Sequence, residues 1–277
     1  MLDSSFLLLG ALIMSIHHFS CRFAKYLPFF LAYCVLGTQS KPVYADDKSE
    51  INELIESFDN LWIDKQSYAE LDMKVKTSNY ERDLRMMYWG KGADHSLVRI
   101  TYPPKEKGVS TLKAGKDVYN YVPKIARTTK ITDALLSQSW MGSHFTNSDL
   151  MRTVSIRKEY DIRVADKKKK DGVEVWVLEC NAKPNIPTLY KKLVIQFNRK
   201  NRMPLEQKVY DKSNSLLRTF TYLDVKDYSG KNVPSRVRVT PEIADQKGEF
   251  TEVLYTKIDR HKKFGDDVFS LSNLTEL

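Results

Sequence analysis

From Tyr68 to Ile258 the chain repeats one pattern, apolar and polar residues in alternation. That period of two dictates strands that each bury one face. In "YAELDMKVKT" the residues Ala69, Leu71, Met73 and Val75 alternate with Glu70, Asp72, Lys74 and Lys76. Segments of the same kind recur at 83–89, 95–102, 109–114, 118–122 and 126–131. They resume at 156–164, 173–181, 189–198, 204–210, 216–225, 233–240 and 250–258. Turn-rich stretches separate them, among them "GKGAD", "PPKEKG", "KAGKD" and "DYSGKNVP". Consecutive strands on short connections give an antiparallel meander, because parallel neighbours need long crossovers. No linker or low-complexity segment divides the pattern. The expectation is a mainly β (α+β) chain with one long sheet, and a meander of that length must curl.

Two stretches break the alternation. In "DKSEINELIESFDNLW" the residues Ile51, Leu54, Ile55, Phe58, Leu61 and Trp62 fall at helical spacing, with Ser49 placed to cap the helix. The second, "SQSWMGSHFTNSDL" at 137–150, fits no strand alternation, and Gly142 breaks its helical pattern. It sets Trp140, Met141 and Phe145 among small polar residues.

The first 45 residues read as a cleavable export signal. Arg22 and Lys25 precede the apolar run "YLPFFLAYCVLG", and Val43-Tyr44-Ala45 places small residues where a signal peptidase reads them. Pro28 interrupts the run, which is too short for the roughly 18 consecutive apolar residues of a membrane span. Cleavage after Ala45 leaves residues 46–277 as one domain and lowers the formal charge from +9 to +7. Of the three cysteines only Cys180 then remains, so no intrachain disulfide is possible. A chain exported to a periplasm without staples must rely on its core. The run Lys167 to Lys170 precedes Asp171-Gly172, a hairpin-turn signal, and reads as a solvated hairpin tip, not a nucleic-acid site.

No catalytic or metal motif emerges. His95, His144 and His261 lack a second His or Cys at metal-site spacing. "WMGSHF" fails the Gly-x-Ser-x-Gly nucleophile elbow at its first and last glycines. In "GVSTLKAGK" the glycines are too far apart for a phosphate-binding loop. The expectation is a protein that is not an enzyme and takes no cofactor. What the chain has in quantity is 15 Tyr, 12 Phe, 4 Trp and 8 Met. They supply a core, and a curled sheet with few helices leaves room for an apolar cavity suited to greasy ligands.

Several stretches carry a family resemblance. These are Trp89-Gly90-Lys91-Gly92, Tyr121-Val122-Pro123-Lys124 with Arg127, and Trp140-Met141-Gly142-Ser143 continued by Phe145-Thr146-Asn147 and Asp149-Leu150. With "LVIQFN" and the closing "FSLSNL", they resemble the exported LolA-like family of outer membrane lipoprotein-sorting proteins over about Ile51 to the C-terminus. Two positions depart from the family's pattern: His144 and Ser148 stand where acidic residues are expected.

The resemblance implies a half-open barrel whose apolar cavity is covered by the N-terminal helix and a central helical lid. It implies a periplasmic carrier of lipoprotein acyl chains or free lipid, working between an inner-membrane transporter of ABC or RND type and an outer-membrane acceptor. Alternatives are an interaction module of such an exporter, its core filled by its own side chains, and a small-molecule enzyme using the barrel as a pocket. A monomer that binds no nucleic acid is expected. The expected lid is a short helix in "TDALLSQSWMG", capped by Thr132, with Leu135, Leu136 and Trp140 on its apolar side and Gly142 at its end. The expected ligand-facing residues are Trp140, Met141, Phe145 and Leu136, joined by Trp89 and Tyr121.

Overall fold

Alternation with turns every few residues is realised as a single antiparallel sheet. The computed structural model describes residues 45–151, 155–186 and 188–275, and the expected export signal before Ala45 lies outside them. The first six strands are β1 (Ser67–Lys76), β2 (Glu81–Lys91), β3 (His95–Tyr102), β4 (Ser110–Ala114), β5 (Asp117–Val122) and β6 (Arg127–Lys130). The next seven are β7 (Tyr160–Lys170), β8 (Val173–Ala182), β9 (Lys192–Asn198), β10 (Met203–Tyr210), β11 (Leu216–Tyr228), β12 (Lys231–Pro241) and β13 (Phe250–Asp259). Each alternating segment of the sequence supplies one strand, although residues 156–159 of the segment expected at 156–164 form a helical turn ahead of β7.

The spatial order is β6-β5-β4-β3-β2-β1-β13-β12-β11-β10-β9-β8-β7. The chain starts at the middle of the sheet, meanders to one edge, crosses to the other edge and meanders back beside β1. The sheet is curved and unclosed, a half-open barrel with β6 and β7 as its free edges. Both edges are guarded against pairing with another chain. Strand β6 has only four residues, Arg127 and Lys130 among them, and β7 ends in Lys167 to Lys170.

Those lysines lie in the strand and not in a hairpin tip. The turn is Asp171-Gly172 alone, with φ of 51° and 77°, the backbone a two-residue hairpin requires. Lys167 bonds Asp47 at 2.5 Å and lies 4.0 Å from the ring centre of Trp176.

Register assigns the faces. Leu71, Met73, Leu84, Met86 and Ile100 share the inner face of β1–β3. Trp176, Leu178, Leu193, Ile195, Phe197, Phe220, Val237 and Val239 continue it across β8–β12. Helix α1 (Ala45–Asp59) lies on this second part and buries Ile51, Leu54 and Ile55. Each such side chain taken out of water contributes about 1.5–3 kcal/mol. The helix begins before Ser49, which sits inside it and is not its cap. The outer face of β3–β5 carries a second, smaller core. There the C-terminal segment, including α4 (Leu271–Thr275), places Phe269 and Leu274 against Leu97, Leu112 and Tyr121.

Candidate functional site: the strap between the sheet edges

Because β6 and β7 are consecutive in the chain and opposite in space, the chain between them, described at 131–151 and 155–159, must bridge the open side of the half-barrel. This strap contains the apolar stretch that fits neither period. It forms two 3-10 turns, Asp133–Leu135 and Trp140–Gly142, then two short helices, α2 (Asn147–Met151) and α3 (Ile156–Glu159). The expected single helix from Thr132 to Gly142 does not form. Ser139 is not helical, and Met141 and Gly142 take φ of 50° and 66°, which no α-helix continues. Thr132 precedes the first 3-10 turn without a side-chain capping bond.

Instead, residues 139–146 fold back on themselves. Trp140 N–H donates to the Phe145 carbonyl at 2.8 Å, and Ser139 bridges Thr146. At Gly142 a Cβ would approach the Tyr80 hydroxyl to 3.1 Å, and the positive φ already favours glycine.

Four of the expected site residues sit on this strap, and three of them meet at the inner face. Trp140 is buried, and its indole N–H donates to Thr111 Oγ1 at 2.9 Å. Phe145 meets Trp140 edge-on at 6.5 Å and Phe220 at 6.0 Å. It therefore joins the core over β1–β3 to the core beneath α1. Met141 packs on the β1–β3 side, and its carbonyl accepts from Arg82 Nη2 at 2.7 Å. Leu136 is half-buried, its carbonyl bound by Ser148 N–H at 3.0 Å.

Trp89 and Tyr121 lie elsewhere. Trp89 pairs with Tyr68 and Leu97, one residue out of phase with Met86 and Tyr88. In a strand that places it on the other face of the sheet. Both residues join the outer core beneath the C-terminal segment.

Polar groups pin the strap down, and of these sequence reasoning missed Arg218 and Tyr190. Arg218, buried on β11, donates to the His144 carbonyl at 2.7 Å and to Asp149 at 2.9 and 3.4 Å, and also bonds the Tyr190 hydroxyl. Asp149 in turn accepts the Thr146 N–H at 2.7 Å, closing the start of α2. Burial, with Asp149 nearby, pushes the Tyr190 phenol up to about 12, so it stays neutral beside the guanidinium. The signal was present in "LLRTFTYL", where Arg218 shares the inward parity of Phe220 and Tyr222.

His144 forms the second anchor. Its backbone N–H donates to Thr251 Oγ1 at 2.9 Å, while its ring lies 2.8 Å from that hydroxyl and 3.1 Å from Glu249 Oε2. The Ser78 backbone N–H, and then His144, hold the Glu249 carboxyl below the usual carboxylate range. An acid at 144, the residue expected in relatives, would face Glu249 here.

Hydroxyl, imidazole and carboxylate in line invite comparison with a nucleophilic triad. Thr251 is fully buried, however, and its oxygen is engaged by two nitrogens of His144. A substrate has no approach to that hydroxyl. Among the described residues no three His, Cys, Asp or Glu side chains are grouped to hold a metal.

Beside the strap a cleft of about 540 Å³ opens at one rim of the half-barrel. Phe145, Leu189, Leu217, Pro241 and Ile243 give it apolar walls, and Lys212, Asp211 and the Asp149-paired Arg218 add charged groups of both signs. On the inner face beneath the strap, Phe145 packs against Trp140 and Phe220, and the rim cleft lies beside them.

Known proteins place this architecture. No curated protein matches the sequence. Among solved structures, an outer membrane lipoprotein-sorting protein domain from Vibrio parahaemolyticus is 22% identical. The similarity covers 82% of this chain and 97% of that one, with a TM-score of 0.71. A DUF1329 family protein from Desulfovibrio piger is 21% identical over 82% of this chain and 98% of its own, with a TM-score of 0.72. A LolA superfamily protein from Nitrosomonas europaea is 21% identical over 80% and 98%, with a TM-score of 0.66. At these identities the likeness establishes the fold, a LolA-like half-barrel. A family model described as uncharacterized protein-like matches residues 92–276, more than half of the chain. The chain belongs to that family, and its fold is the LolA-like one.

Proposed function

We propose that the protein is a periplasmic carrier that holds lipoprotein acyl chains or free lipid against the strap. It would move them between an inner-membrane transporter and an outer-membrane acceptor. One observation carries the reading: the open side of the half-barrel is crossed by an aromatic strap held by polar anchors, with the rim cleft directly beside Phe145. An apolar-walled cleft with a few convergent polar groups suits an amphipathic ligand, and Lys212, with the hydroxyls of Ser137, Ser139 and Ser213 in the lining, fits a polar head. The ligand-facing set is then Phe145, with Trp140 and Met141 behind it and Leu136 along the strap. Trp89 and Tyr121 support the sheet from its other face.

The fold of the lipoprotein-sorting relatives and the signal-like leader both favour this reading. Processing would leave Asp46 as the first residue, and N-terminal sequencing of protein released by osmotic shock checks that. The packing of Trp140 and Phe145 into the inner-face cores favours a second reading, an interaction module that docks on an exporter and carries no lipid. Mass spectrometry of organic extracts from protein purified out of the periplasm separates the two. Stoichiometric lipid supports the carrier, and its absence from repeated preparations supports the module.

A further inference from the structure

The turns at the ends of β3 and β5 share the rim on which the cleft opens, because alternate connections of an antiparallel meander fall at the same end. Strands β3 and β5 flank β4, so these tips stand about 10 Å apart. Between them they expose Tyr102, Val122 and Ile125, the last at 62%, the highest exposure of any large apolar side chain described. Lys105, Lys107, Lys124 and Arg127 lie in or next to the same two turns and are all exposed. The one acid in either turn, Glu106, is half-buried and faces Arg82 at 3.6 Å. Val122 and Ile125 therefore stand among exposed cations, with no exposed acid in either turn, whereas Tyr102 shares a cleft on the sheet with Asp72 and Asp83. Single exposed apolar residues are ordinary. Two side by side, with four exposed cations over their own turn and the next, make an amphipathic surface.

We propose that these two tips dock the protein on an anionic lipid bilayer, with Ile125 and Val122 entering the interface and Lys105, Lys107, Lys124 and Arg127 on the phosphate head groups. Charge complementarity selects this occupant, and the position links it to the strap. Arg82, which faces Glu106, also bonds the Met141 carbonyl, and Tyr80 on the neighbouring turn bonds the Gly142 carbonyl. The proposal rests on the carrier reading for its purpose, since it brings the cleft mouth to a lipid source.

The test is co-sedimentation of the exported chain with vesicles of phosphatidylglycerol and phosphatidylethanolamine, against vesicles of phosphatidylcholine alone. Wild type should bind the anionic vesicles selectively, and less tightly as salt is added. Each lysine at an anionic surface is worth about five-fold in affinity, so the triple change Lys105→Gln, Lys107→Gln, Lys124→Gln should cost about 100-fold. Ile125→Asp should weaken binding without altering thermal unfolding. Lys168→Gln, Lys169→Gln, Lys170→Gln removes as much charge near the β7–β8 turn, at the opposite rim, and should leave binding near wild type. Wild type that ignores anionic vesicles, or two triple variants that fall equally, would overturn the proposal. Fatty-acid uptake by the same variants reports separately on the carrier: docking lost with uptake kept still places docking at these tips.

Discussion

Asp149→Ala tests whether the strap is fastened where the structure fastens it. The substitution removes both carboxylate contacts of Arg218, at 2.9 and 3.4 Å, and the acceptor for Thr146 N–H. The side chains of Arg218 and Asp149 are only 9% and 19% exposed, so solvent can do little to replace the lost partner. Stranding one member of a buried pair costs about 3–5 kcal/mol, against about 0–1 for a surface pair. Arg218 keeps the His144 carbonyl and Tyr190, which places the expected loss at the low end, about 3 kcal/mol. For a domain of this size that lowers Tm by roughly 6–12 °C. Urea unfolding of Asp149→Ala should show a lower midpoint with unchanged slope, and proteolysis should cut first within the strap. The double variant Asp149→Leu, Arg218→Met removes both charges and should recover most of the loss. A loss below about 1 kcal/mol in the single variant would mean that solvent reaches the pair and that the strap is not held there.

Two further outcomes follow from the same packing. His144→Asp would set a second carboxylate against Glu249 and lose the imidazole contact. It should cost about 1–2 kcal/mol in urea unfolding, with His144→Asp, Glu249→Gln recovering much of that and lipid uptake preserved in both. Lys113, buried on β4 and donating to the Ala93 carbonyl at 2.9 Å, is pushed down to about 8 by burial, which Asp94 only partly opposes. Its unfolded value is about 10.4, so between those pH values the unfolded chain binds more protons and stability rises with pH. At pH 7 the buried ammonium costs up to about 3 kcal/mol. Lys113→Met should therefore stabilise the protein at pH 7, and the gain should shrink as pH rises from 8 towards 10.

The sheet was legible because a period of two, repeated through thirteen strands, admits few alternatives. Asp171-Gly172 also gave its turn type directly. The strap was legible only as an interruption. Its conformation depends on contacts far away in sequence, such as Thr111 under Trp140 and Arg218 under Asp149, and no local propensity encodes them. Trp89 and Tyr121 show the cost of reading residue type without register, since one step along a strand changes the face and hence the core that a side chain joins. The C-terminal cover of the outer face was missed for a related reason. Exposed-looking Leu97 and Leu112 alternate correctly for a wet face, and only the docked Phe269 and Leu274 explain them.

The most direct test of the carrier is a paired measurement on Phe145→Glu: thermal unfolding, and uptake of a fluorescent fatty acid, each against wild type. Phe145 is half-buried and lines the cleft, so a carboxylate there can hydrate, and the variant should still fold, with a Tm lowered by the lost contacts to Trp140 and Phe220. Desolvating that charge against an acyl chain costs several kcal/mol, a large part of the roughly 8 kcal/mol of a micromolar complex. A carrier predicts a cooperatively folded variant, of lowered Tm, with uptake lost. Unchanged uptake by the folded variant would contradict ligand binding at the strap.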